Sequence, residues 1–225
     1  MTTLLTLQCG QAIARLAPEL GGRITTCTLV DPNGLTRPVL HPYPEQHTDL
    51  AHWGKGGLYP LMPYSGRLRD AKIHGDGRIW SLAPYEGSVH TLHGIAHRRP
   101  WVVQSQEASA LTVQYRHVPD EHWPWPFDAQ MAVSLDEHAL AVTLTLTNAG
   151  DRPMPGGLGM HPYMPVGAQH ELQFHASAPC VFDDDYLMRP AAAVPVQSLP
   201  QKIELDEAGQ SEVTRMHALW DGQLN

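Results

Sequence analysis

Cysteine is scarce and unpatterned: Cys9, Cys27 and Cys180 are the only three in 225 residues. They form no CxxC pair and no disulfide framework, so reduced thiols in a cytoplasmic protein are expected. Basic charge is also short, with 15 Lys and Arg against 23 Asp and Glu and a formal net charge of −8. That balance argues against a nucleic-acid partner and against an anionic membrane surface. No long apolar run is present, and "MTTLLTLQCGQAIARLAPELGG" has no basic lead. Neither a signal peptide nor a membrane-spanning helix is expected. Helical periodicity is nearly absent. Only "QAIARLAPEL", residues 11–20, carries helical spacing, and Pro18 interrupts it.

Turn formers are plentiful instead, with 19 glycines and 20 prolines, while charged residues make up only 17%. This is the profile of short strands joined by tight turns. "LAVTLTLTN" puts Leu140, Val142, Leu144 and Leu146 on one face and Ala141, Thr143, Thr145 and Thr147 on the other. "AQMAVSLDEHALAVTLTL" predicts a hairpin turning at Asp136, Glu137 and His138. "ALTVQYRHV" alternates in the same way, "GRITTCTLVDPNG" ends in a Pro-Asn-Gly turn, and "HGDGRIWSLAP" predicts a turn at residues 75–77. "ELQFHASAPCVF" predicts a further strand, and the Ala/Val/Pro-rich residues 190–200 predict an extended loop. The rhythm implies one all-β domain over residues 1–225, with antiparallel sheets packed as a sandwich or closed as a barrel.

Histidine is the residue type that suggests chemistry, with 14 in the chain. His74, His93, His97 and His161 all sit beside or near Gly or Pro, where side chains are placed by turns and strand ends. "HGIAH" spaces His93 and His97 four apart. Gly94 and Pro100 disfavour a helix there, and on a strand the pair would lie about 13 Å apart, too far to share a metal. No metal site is expected. Asp183, Asp184 and Asp185 point alternately along an extended chain and suit a solvated loop. Arg67 and Arg69 can share a face and offer forked donors to hydroxyls. Trp123 and Trp125, each followed by proline, suit a rigid corner packed into the core.

Four stretches in register carry a resemblance. "PLMPYSGRLRDAKIH", "LHGIAHRRPWVV", "LTLTNAGDRPMPGGLGMHPYMPV" and "ALWDGQ" are similar, in order and spacing, to segments of the aldose 1-epimerase (galactose mutarotase) family. The likeness spans about residues 15–225 and leans toward short, uncharacterised bacterial members. It implies the large antiparallel supersandwich of that family and interconversion of the α and β anomers of a hexose. Opening a cyclic hemiacetal moves a proton off the anomeric hydroxyl and another onto the ring oxygen, so an acid and a base suffice without metal or cofactor. The resemblance makes His161 the acid, places His93 in the site near the ring oxygen, and gives Arg67 the substrate hydroxyls. Gly66 stands where the family has an asparagine.

The family's base is a glutamate on a strand beyond the segment matched by "ALWDGQ", and Thr214 and Arg215 stand where an acidic residue is usual. The chain is therefore expected to be incomplete at its C-terminus, to lack the last strands and the base, and to have doubtful turnover. A non-catalytic carbohydrate-binding protein is the alternative. An exposed sheet edge is expected, covered by a partner such as a second copy in a homodimer.

Overall fold

The computed structural model describes residues 3–44, 46–50, 54–165, 171–176, 183–187 and 199–204. The chain divides into two compact units, Met1–Pro165 and Val166–Asn225.

In the first unit, β1 (Leu5–Cys9), β2 (Ala12–Ala17), β3 (Arg23–Val30), β4 (Thr36–Pro38), β5 (Leu58–Leu61) and β12 (Gly159–Pro162) form one antiparallel sheet. Its order is β1-β2-β3-β5-β12, with β4 also on β3. β8 (Val102–Gln106), β9 (Ala110–His117), β10 (Phe127–Leu135) and β11 (Leu140–Asn148) form the second sheet, in the order β11-β10-β9-β8. β6 (Lys72–Gly75) and β7 (Arg78–Ser81) make a separate hairpin. Among the described residues of the second unit, β13 (Glu171–Ala176) and β14 (Leu199–Glu204) pair antiparallel. Within its turn, the Asp183 carboxylate accepts the N–H groups of Asp185 and Leu187.

Alternation decides the sandwich. Leu7, Ala12, Ala14, Leu16, Ile24 and Cys27 of the first sheet share one buried cluster with Leu111, Val113, Phe127, Ala129, Met131 and Val133 of the second. β11 puts Leu140, Val142, Leu144 and Leu146 against that cluster while its Thr residues face outward, as the two-residue period requires. The β10–β11 turn is closed by the Asp136 carboxylate, which accepts the His138 N–H at 3.0 Å. His138 Nδ1–H then donates to the Val30 carbonyl at 2.9 Å, so the hairpin tip of one sheet is bonded to the end of β3 in the other. Trp123 and Trp125 are buried together, ring centroids 5.1 Å apart, at the corner between β9 and β10. Among the described residues, no strand pairs with the outer edge of β11.

The helical spacing read at residues 11–20 gives way to strand. Ala12, Ala14 and Leu16 are buried with a period of two between β1 and β3, and only Pro18–Leu20 turns, as a short 3-10 helix. Each neighbouring strand pairs with alternate residues, so β1 and β3 together satisfy the backbone groups of β2, which an isolated helical turn ending at a proline cannot do. The strand at residues 199–204 replaces the end of the loop expected there. Residues 177–182, 190–198 and 205–225, which include Cys180 and the "ALWDGQ" segment, lie outside the described residues.

Met131 sits at 0% exposure in the middle of β10. Met131→Ala is expected to cost about 2–5 kcal/mol through lost burial and a residual cavity. Thr143→Ala, on the outer face of β11, should stay within about 0.5 kcal/mol of the parent. Urea unfolding midpoints measure both.

Candidate functional site

β5 is buried along its whole length, and β12 pairs with it at the end of the first sheet. Pro162 has no N–H to donate, which suits an edge strand. The register sets His161 directly opposite Tyr59. Their rings stack at 5.0 Å with an interplanar angle of 9°, and Tyr163 packs on His161 at 4.9 Å. His161 is therefore half-buried among aromatic rings and placed by strand pairing, not by a loop.

His93 arrives from a different part of the chain. It lies in a loop with φ +61, followed by Gly94 at φ +67. A Cβ on Gly94 would sit 2.1 Å from the Met62 carbonyl oxygen, so only glycine lets the two backbones approach there. The loop is pinned by Ile95 N–H and Ala96 N–H, both donating to that carbonyl, at 2.8 and 3.1 Å. His93 N–H donates to the Gly66 carbonyl at 2.7 Å, and Gly66 N–H donates to His93 Nδ1 at 3.2 Å. The result brings the His93 ring edge-on to His161, centroids 5.5 Å apart. Arg67 follows Gly66 directly in the chain and is half-buried.

Three further residues complete the cluster. His97, 1% exposed, stacks on Tyr59 at 5.4 Å and meets the His93 ring at 6.5 Å. Its proton affinity is pushed well below the ordinary 6.5, first by burial and then by the nearby positive charges of Arg98 and Arg23. Arg23, the first residue of β3, is 1% exposed. Its guanidinium lies between the Tyr43 and Tyr59 rings, 4.3 Å from each centroid, and donates from Nη1 to the Gly56 carbonyl at 3.0 Å. Burial lowers its pKa, and Tyr43, Tyr59 and Tyr163 partly offset this. Tyr163 is raised by burial, while its hydrogen bond with Tyr59 and the nearby Arg23 pull the other way. Among the described residues no group of three His, Cys, Asp or Glu is placed to hold a metal.

The paired strand end carrying His-Pro-Tyr and the left-handed His-Gly loop come from two of the four resembling segments. The model of the aldose 1-epimerase family matches residues 3–212. The chain belongs to the aldose 1-epimerase family. The uncharacterised protein YphB of Escherichia coli K12 is 28% identical over 137 residues, which is 60% of this chain and 45% of YphB. YihR of the same organism is 28% identical over 125 residues, 55% of this chain and 39% of YihR. The chain thus spans less than half the length of these relatives. The structure of a putative aldose 1-epimerase from Escherichia coli K12 superposes with a TM-score of 0.69 at 24% identity, covering 89% of this chain and 67% of that one. A GalM/aldose epimerase homologue from Caenorhabditis elegans superposes with a TM-score of 0.71 at 18% identity, covering 93% and 67%.

In this family member the structure brings two of the sequence-derived residues, His161 and His93, into ring contact. The separation of about 13 Å expected for His93 and His97 on a strand does not occur. The chain turns through Gly94 into a 3-10 helix at Ala96–Arg98, and the rings lie 6.5 Å apart. Arg23 and Tyr59 escaped notice in the sequence. Each stands in an apolar or Gly-rich run, "LGGRIT" and "GGLYPLMP", and nothing local marks either as a neighbour of His161.

His97 makes stability depend on pH. Its folded pKa lies below the ordinary 6.5, so the unfolded chain binds more protons below that pH. Stability is complete above it and falls as pH drops, by about 1.4 kcal/mol per pH unit for this group. Urea unfolding at about pH 7.5 and about pH 5.5 should show that loss, and His97→Gln should flatten the slope whatever its effect on stability at the higher pH.

Proposed function

We propose that the His161–His93 cluster binds a hexose and opens its ring, so that the protein interconverts α and β anomers. One observation carries this: two imidazoles from distant segments meet edge to face at 5.5 Å, one half-buried on a tyrosine platform. An imidazole can hold or release a proton near neutral pH, which is what protonating a ring oxygen needs. His161 is the acid and delivers its proton to the ring oxygen. Arg67 binds hydroxyls, and its planar fork suits vicinal oxygens. The Tyr163 and Tyr59 rings offer flat apolar surface beside the acid and keep the imidazole from turning. His93 takes part through contact with the sugar. The proton-accepting half of the reaction is assigned to no residue of this cluster. The reaction draws on no redox or electron-sink chemistry, and the proposal includes no cofactor.

Polarimetry tests it. Freshly dissolved α-galactose or α-glucose should reach its equilibrium rotation faster with the protein than without. His161→Ala is expected to lose roughly 10²–10⁴-fold of the acceleration, the usual worth of a placed acid. His161→Gln should keep sugar binding while losing the acceleration. A sugar that binds with no acceleration by the parent protein identifies a carbohydrate-binding protein instead. Full activity in His161→Ala overturns the acid assignment.

A further inference from the structure

Residues 66–70 run beside residues 90–93, and the bonds between the two segments follow an unusual pattern. In an ordinary ladder, backbone N–H groups donate to backbone carbonyls. Here three alternate amides donate to side chains: Gly66 N–H to His93 Nδ1 at 3.2 Å, Leu68 N–H to Thr91 Oγ1 at 3.2 Å, and Asp70 N–H to His90 Nδ1 at 3.0 Å. All three acceptors belong to buried residues, with His93 and His90 each 7% exposed and Thr91 3%. The return bonds are conventional, His93 N–H to the Gly66 carbonyl at 2.7 Å and Thr91 N–H to the Leu68 carbonyl at 3.3 Å. Gly66 and His93 are thus joined twice, once through the backbone and once through the ring.

A peptide N–H can only donate, so the ring nitrogen facing it must be the acceptor. A neutral imidazole has one acceptor nitrogen and one N–H, and the proton then sits on Nε2. A second proton, on Nδ1, would face the Gly66 N–H with another donor and break the bond.

We infer that the Gly66 peptide fixes His93 as a neutral Nε2–H tautomer, so that His93 is a permanent hydrogen-bond donor to a sugar oxygen and not a proton acceptor. Gly66 is then a positioning residue that acts through its backbone. At φ +77 its conformation favours glycine, and a Cβ there would meet nothing within 4 Å. Thr91 and His90 extend the same device along the loop and keep it in register. The identity of the acceptor as a sugar oxygen rests on the proposed function, whereas the tautomer does not.

Long-range ¹⁵N–¹H correlation spectra of the intact protein at neutral pH decide the tautomer directly. Protonated Nε2 with bare Nδ1 on His93 is expected, and a protonated Nδ1 overturns the inference. Two substitutions then separate donor from scaffold. His93→Gln keeps a donor near the Nε2 position, and His93→Asn keeps an acceptor near Nδ1 but loses the donor. His93→Asn is expected to raise KM for the sugar by roughly three- to tenfold over His93→Gln, the worth of one neutral hydrogen bond. Equal KM values for the two would overturn the donor role. A parent protein that fails to accelerate mutarotation sinks the proposed function, while the spectrum still decides the tautomer.

Discussion

The site depends on a buried cation. Arg23 carries its guanidinium into a region with 1% exposure, between the faces of Tyr43 and Tyr59. Moving a charge out of water is costly, and two ring faces with one carbonyl acceptor are what it receives in return. A desolvated cation over an aromatic face is worth about 2 kcal/mol or more, so the Tyr59 ring is held firmly from one side. His161 and His97 both stack on that ring. One interaction thereby orders three side chains, and it also adds positive potential that helps keep His97 neutral.

Around this centre the backbone does the placing. His161 is set by the pairing of β12 with β5, where a one-residue slip would turn its ring to the other face of the sheet. His93 is set by a loop whose approach to Met62 leaves no room for a side chain on Gly94. Strand register and loop closure are independent constraints, yet both deliver an imidazole to the same few ångströms. Such convergence of polar groups on a rigid scaffold is how functional sites are built on β-sandwiches. Other histidines show the contrast. His117 bonds the Trp123 carbonyl at 2.7 Å and the Tyr115 hydroxyl at 3.0 Å, a filled structural role inside the core. His138 is likewise engaged in tying the two sheets together.

Much of the fold was legible in the sequence. Alternation in residues 111–117 and 140–147, and the turn residues at 32–34, 75–77 and 136–138, have direct counterparts in β9, β11 and the observed turns. Misreading arose where local signal was ambiguous. Residues 12–17 hold small and branched residues that fit helix or strand equally, and pairing with β1 and β3 decided the matter. At the candidate site, motif order singled out His161 and His93, whose rings the structure puts 5.5 Å apart. Arg23, Tyr59 and the role of His97 were not legible, because what joins them is the Tyr59 ring, 36 residues from Arg23 and 38 from His97 in the chain.

The sequence by itself determined the class of fold, the sandwich faces and the two histidines worth watching, since period-two alternation and turn chemistry are local properties. It also determined family membership, through segments in register. Only the tertiary structure decided that His93 and His97 lie near each other, that Tyr59 is the platform for His161, and that a peptide amide of Gly66 selects the proton position on His93. Those facts follow from which backbones approach in space, and a hydrogen bond between residues 27 positions apart leaves no trace in either local stretch.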